Sequence, residues 1–219
     1  MTNLITKLKR DGIIVDKGEF SLERHGEFTS QFGKPVKAHT ITERVPAGPP
    51  EYLIHEVPEG QGGMNLHAES SYAEHHPEIV ALSCGVKAEM GGRTTILDGR
   101  KLMKEMSPEL RDAWERCTIE WRFPHEKDAD AVKDGAFSST ILSVFKYSSL
   151  EPLAPVPNLT TINKAQLRET MDMSLDLADA HSWTVGDIVV LDNHRWIHGR
   201  EPWIGERKVY VQTLESTGF

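Results

Sequence analysis

At 219 residues with a formal charge of -8, the chain is long enough for one sizeable domain over 1–219 and has no basic footprint for a nucleic acid. Hydrophobic residues make up 38% and charged residues 26%, and Lys and Arg are scattered rather than blocked, which argues against a membrane-surface patch. No apolar run approaches the roughly 20 residues of a membrane span, and the opening M-T-N-L-I-T-K-L-K-R lacks the unbroken apolar core of a signal peptide. Two cysteines, Cys84 and Cys117, show no CxxC pairing; they read as reduced thiols and point to the cytoplasm.

In chain order, the spacing predicts a short helix over Leu4 to Arg10, then an apolar run at 13–15. Ser21 is a candidate N-cap for a helix running toward Phe32, with Gly33 and Pro35 as the stop signal. The Pro- and Gly-rich stretch 46–63 flanks a strand candidate, Tyr52 to Val57. E-I-V-A-L-S-C-G-V at 78–86 and T-T-I-L at 94–97 read as strands. Ser107 caps a helix over 106–117 with Pro108 at its first position, and 118–123 alternates like a strand. Residues 124–160 suggest a long, partly structured loop, and 163–175 another helix. The last third holds two strands, I-V-V-L and K-V-Y-V-Q-T-L, around a charged turn. Many short strands with peripheral helices, and no regular βαβ alternation, predict a mainly β jelly roll.

Residues 65 to 72 read N-L-H-A-E-S-S-Y. On a strand, positions i and i+2 share a face, so His67 and Glu69 would point at one spot. A solvated face would do the same by coincidence. The second informative stretch is G-D-I-V-V-L-D-N-H-R-W-I-H-G-R at 186–200, where a strand delivers a turn at Asp192-Asn193 and His198 follows. Two histidines and a carboxylate on one side of a metal form the facial triad of non-haem Fe(II) oxygenases, which leaves other positions open. The adjacent pair His75-His76 is less attractive, because strand neighbours face opposite ways.

H-A-E at 67–69, G-G-R-T-T at 91–95 and D-N-H-R-W-I-H-G-R at 192–200 occur in that order. Together with D-G-I-I-V and F-G-K-P near the start, they resemble the taurine dioxygenase (TauD/TfdA-like) superfamily of Fe(II)/2-oxoglutarate oxygenases. The usual carboxylate there is Asp; the H-x-E form resembles the clavaminate-synthase and asparagine-hydroxylase branch. The resemblance implies a double-stranded β-helix, with Fe(II) on His67, Glu69 and His198 and with 2-oxoglutarate and O2 as cosubstrates. It also implies oxidation of a substrate C–H bond, with release of succinate and CO2. An arginine would grip the distal carboxylate of 2-oxoglutarate with its planar fork. In the family that arginine follows the distal His by more than ten positions. Arg207 stands nine positions after His198 and is the first choice, with Arg200 in reserve, and Thr94 matches the family threonine on the same carboxylate.

Asn65, Ser71 and Tyr72 flank the ligands as candidate substrate contacts, and Trp196 and Trp203 read as packing. The H-x-E resemblance favours a small polar, amino-acid-like substrate whose charge Arg195, Arg200 or an acidic loop residue would pair. Hydroxylation is the default outcome, with desaturation and cyclisation starting from the same hydrogen abstraction. Two other readings compete: a non-catalytic jelly-roll binding protein, which has no need of three intact ligands, and a zinc-type hydrolase, which gives a 2-oxoglutarate anchor no role. The expected partner is a small molecule, with a homo-oligomer as the further expectation because the chain is compact for this family.

Overall fold

A computed structural model describes residues 4–36, 42–44, 64–69, 77–117, 119–122, 156–159 and 161–216. The first helix, α1 (Leu4–Asp11), buries Leu8 and leads into strand β1 (Ile13–Asp16). Helix α2 (Leu22–Thr29) starts where the Ser21 side chain accepts a hydrogen bond from the Arg24 amide at 3.0 Å. It stops at Thr29, short of Phe32, whose ring is fully buried from the turn that follows. Gly33–Pro35 is a short strand, β2, rather than only a stop.

Further along come β3 (Thr42–Arg44), β4 (Met64–His67), β5 (Ile79–Val86), β6 (Met90–Gly91) and β7 (Thr94–Asp98). Asp98 ends β7 and caps the next helix, α3 (Gly99–Glu105), by accepting from the Arg100 amide. Helix α4 (Pro108–Glu115) has the predicted Ser107 cap and Pro108 at its start. Strands β8 (Ile119–Arg122) and β9 (Val156–Leu159) pair with each other, and α5 (Lys164–Leu177) opens with an Asn163–Gln166 capping box. The chain then runs through β10 (Asp179–His181), β11 (Ile188–Asp192), β12 (Trp196–Arg200), β13 (Trp203–Ile204) and β14 (Lys208–Ser216). The strand candidate at 52–57 and most of 124–160 lie outside the described residues.

Between the two C-terminal strands, where the sequence predicts a charged turn, the structure also has β12 and the β13 ribbon. Helix α3 and strand β10 are likewise additions to that reading.

The strands form two main antiparallel sheets. One runs β1-β11-β5-β14-β2, with β3 also on β14; the other runs β10-β7-β12-β4. Alternation along the strands divides their side chains into layers. Ile79, Ala81, Ile188, Val190 and Leu214 face outward from the larger sheet and pack under α1 and α2 with Leu8 and Phe32. Val80, Leu82, Cys84, Val189, Leu191 and Val209 face the other way and meet Ile96 and Trp196 of the smaller sheet. On the far side of that smaller sheet, Leu66, Leu97 and Ile197 pack against Leu102, Leu110 and Trp114 of α3 and α4. Helices therefore cover both outer faces, and the space between the sheets is where inward-facing polar residues meet. This is the predicted jelly-roll arrangement.

Candidate metal centre

His67 ends β4 and His198 sits at the middle of β12, and the two are direct cross-strand partners. Parity sends both inward, because their neighbours Leu66 and Ile197 belong to the outer layer. The imidazole centroids are 4.5 Å apart. Glu69 lies two residues beyond the strand end, in a turn, yet its Oε2 stands 3.9 Å from His67 Nε2 and 3.6 Å from His198 Nε2. All three side chains are buried, and one donor atom from each lies within 4.8 Å of the other two. Metal bonds of about 2.1 Å bring neighbouring donors to roughly 3–3.5 Å apart. A small inward shift of these side chains would seat a divalent ion.

Since the strand has ended, Glu69 needs another support, and Asn193 supplies it. The Asn193 side chain accepts from the Glu69 amide at 2.8 Å and donates to the Glu69 carbonyl at 2.9 Å. The same amide donates to the Pro77 carbonyl at 2.8 Å, and the Asn193 backbone donates to the Glu78 carbonyl at 2.8 Å. Asn193 is fully buried. One side chain therefore replaces the ladder bonds that a longer β4 would have made. The sequence reading treated Asn193 only as part of a turn; its place in the D-N-H-R-W-I-H phrase was the available signal.

The predicted anchor residues converge on the same cleft, which His67, Glu69, Thr94, His198 and Arg200 line together with Arg207, the residue just before β14. Leu82, Val209 and Val211 of the larger sheet form the opposite wall. Arg207 is only 5% exposed, and among the described residues no carboxylate pairs with it. Its Nε donates to the Gly92 carbonyl at 3.1 Å. Burial pulls its pKa down to about 10, so the guanidinium is still charged at neutral pH. Gly92 has φ +66°, and a Cβ there would sit 3.1 Å from Arg207 Cδ and 3.0 Å from Trp203 Cβ. This close, left-handed approach is what glycine permits.

Arg207 also borders a second cleft, of ≈ 230 Å³, whose walls include Ala88, Gly92, Arg93 and Trp183. That cleft is the larger of the two but holds none of the three clustered donors. The cleft beside the clustered donors is therefore the one with the chemistry.

Thr94 is buried, and its Oγ1 accepts from Trp183 Nε1 at 2.9 Å. Arg200 lies across from Thr94 in the β12–β7 register, and its guanidinium packs 4.2 Å from the Trp203 ring centroid. Arg207 sits 5.6 Å from the same ring. Arg195 is not in the cleft: it is spent on Asp98, with a shortest contact of 2.6 Å, and on the Arg10 carbonyl at 3.0 Å. Its proposed substrate role is thereby corrected, because a paired guanidinium holding the N-terminal helix has no charge to spare. Trp196 and Trp203 are packing residues, as read. Asn65 lies in β4, and Ser71, Tyr72 and the His75-His76 pair fall outside the described residues.

Comparison with known proteins gives this geometry its context. The family model for taurine catabolism dioxygenases (TauD, TfdA family) matches residues 2–213. A 3-((Z)-2-isocyanoethenyl)-1H-indole synthase from Fischerella ambigua (strain UTEX 1903) is 22% identical over 186 residues, covering 75% of this chain and 68% of the relative. The structure of AAD-2 in complex with Mn(II) and N-oxalylglycine superposes with a TM-score of 0.71 at 14% identity, over 98% of this chain and 88% of that one. Asparagine oxygenase in complex with Fe(II), 2S,3S-3-hydroxyasparagine and succinate superposes with a TM-score of 0.70 at 16% identity, over 96% and 77%. The chain belongs to the TauD/TfdA dioxygenase family and is an oxygenase of the Fe(II)/2-oxoglutarate-dependent class.

Proposed function

We propose that this protein oxidises a C–H bond of a small polar, amino-acid-like substrate, with Fe(II) on His67, Glu69 and His198 and 2-oxoglutarate anchored by Arg207 and Thr94. The observation that carries the reading is a buried cation beside a buried donor triad. Arg207 has no carboxylate partner among the described residues and shares its cleft with all three donors. A buried charge without a counter-ion is costly by several kcal/mol, roughly, so a site that keeps one expects an anionic ligand. A dicarboxylate that reaches from the triad to Arg207 supplies that anion; a zinc-type hydrolase or a simple binding fold leaves Arg207 unexplained.

Bound iron with 2-oxoglutarate couples O2 activation to decarboxylation, which yields succinate and CO2. The residues prepare for that chemistry in separable ways. The imidazoles of His67 and His198 and the carboxylate of Glu69 would hold the ion and would leave it further positions for ligands. The fork of Arg207 matches a carboxylate bidentately, and Thr94 adds one hydroxyl donor. Leu82, Val209 and Val211 keep water from the opposite wall, which strengthens each polar contact inside.

For the substrate, Arg195 is committed to Asp98 outside the cleft, and the candidate that lines the cleft is Arg200. It would pair an acidic group on the substrate. The structural likeness to asparagine oxygenase supports an amino-acid-like molecule. The relative named for an isocyanoethenyl product supports desaturation alongside hydroxylation as an outcome. The test is anaerobic addition of Fe(II) and 2-oxoglutarate, followed by substrate-stimulated succinate formation across amino acids, their amides and apolar acids. A metal-to-ligand absorption band that needs both additions is expected, with stimulation by polar amino-acid derivatives. Stimulation by apolar acids alone would sink the substrate class, and absence of the band would sink the cosubstrate.

A further inference from the structure

We infer that Trp183 is a positioning residue for the cosubstrate: it fixes the Thr94 hydroxyl as a donor into the cleft beside His67, Glu69 and His198. The inference rests on the proposed anchoring of 2-oxoglutarate by Thr94 and Arg207.

An indole N–H can only donate, whereas a threonine hydroxyl has one proton and two lone pairs. Trp183 Nε1 donates to Thr94 Oγ1 at 2.9 Å, which occupies a lone pair. Among the described residues, none accepts the Thr94 proton in return. That proton is directed away from the indole, and Thr94 lines the cleft that holds Arg207 and the three donors. A carboxylate can only accept, so the hydroxyl is matched to it before it arrives. Without the indole N–H, the hydroxyl could turn and spend its proton on a nearby backbone carbonyl, as threonines do.

Trp183 is itself held in place. It is 4% exposed, within the apolar layer between the sheets. The His181 ring meets it edge-on, with centroids 4.8 Å apart and planes at 88°. His181 is the β10 residue directly opposite Thr94 on β7, so the strand pairing that places Thr94 also places the support for Trp183. Asp187 then steadies the segment: its Oδ2 lies 3.5 Å from His181 Nε2 and accepts from the Thr184 amide at 3.0 Å. Trp183 could have satisfied its N–H on a backbone carbonyl. It is instead placed on the side chain proposed to touch the ligand.

The experiment is a double-mutant cycle on 2-oxoglutarate affinity, measured by calorimetry on the Mn(II)-loaded protein, with Mn(II) affinity as the internal control. Thr94→Val should weaken 2-oxoglutarate binding about 10-fold, and Trp183→Phe about 5-fold, by loss or misdirection of one bond to a charged group. The double variant should bind no more weakly than Thr94→Val alone, and Mn(II) affinity should stay the same throughout. If Trp183→Phe costs the same factor in the Thr94→Val background, Trp183 acts independently of Thr94 and the inference is overturned. It is also overturned if Thr94→Val weakens binding and Trp183→Phe does not. An unchanged affinity in Thr94→Val overturns the anchoring itself, which separates the two failures. Should Trp183→Phe fail to fold, the indole N–H resonances of the wild-type and Thr94→Val proteins decide instead. One buried indole signal is expected to shift and lose exchange protection in the variant, and five unchanged signals would overturn the inference.

Discussion

The larger sheet buries apolar side chains on both faces, whereas the smaller sheet buries one apolar face and turns His67, Thr94, His198 and Arg200 toward the other. In β5 and β11 nearly every position is buried and most are aliphatic; in β12 the inward positions are Trp196, His198 and Arg200. The same pleat therefore serves two purposes. One sheet supplies most of the stabilisation through apolar burial, at about 25 cal/mol per Å². The other uses its inward face for groups that folding alone would not favour there.

That contrast predicts opposite phenotypes for substitutions in the two sheets. The largest effect belongs to His198→Ala, which should abolish iron-dependent succinate formation (about 1,000-fold or more) while the thermal midpoint barely falls. A cooperative loss of fold instead would mean that the smaller sheet depends on its site. Ile188→Ala, in the outward layer of the larger sheet, should do the reverse. It should lose about 3 kcal/mol in denaturant titration, with the metal and 2-oxoglutarate affinities of the folded fraction intact.

Arg207→Ala should raise the 2-oxoglutarate requirement about 100-fold with iron binding retained, and Arg200→Ala should raise it much less. If the two arginines exchange these effects, the anchor has been assigned to the wrong one. Asn193→Ala stands between the classes, since it strips the support of a donor rather than the donor. A loss of about 2 kcal/mol in stability, together with weaker metal binding, is expected. Stability loss without any change in metal affinity would show that the carboxylate is held by other contacts.

The smallest effect concerns the polar exception on the larger sheet. His25 of α2 is fully buried, with Nδ1 against Ser83 Oγ and Nε2 3.1 Å from Gln212 Oε1. Burial holds its pKa below the usual 6.5, with the Gln212 bond opposing in part. The folded state thus disfavours the imidazolium. His25 contributes full stability above about pH 6.5, and loses it as pH falls toward the lower folded value. Thermal midpoints below pH 6.5 should drop more steeply in the wild type than in His25→Gln. Parallel slopes would assign the acid sensitivity elsewhere.

Much of this was legible in the residues, and the reasons are local. The Ser107-Pro108 cap, the run at 79–86 and the H-x-E pair each announce themselves within a few positions. Strand β12 was less visible because W-I-H-G-R carries only one outward aliphatic, Ile197, and a glycine. Helix α3 was hidden because Asp98 serves as the last strand residue and the first cap. The helical spacing that continued to Phe32 came from a turn whose ring happens to reach the same core. Trp183 and Asn193 could not be found by spacing at all. Their partners lie 89 and 124 positions away, and only tertiary structure brings them together.

The order of strands in the smaller sheet has a consequence for how the protein matures. Strand β4, at its edge, pairs only with β12 among the described strands. His67 and Glu69 therefore have no ladder to hold them until a segment some 130 positions later has been synthesised and docked. Contacts of such long range close late and slowly. A nascent or partly refolded chain would thus not yet bring the three proposed ligands together, and uptake of the ion would mark completed topology. Metal-binding kinetics during refolding should therefore follow the pairing of β4 with β12 rather than the formation of the helices.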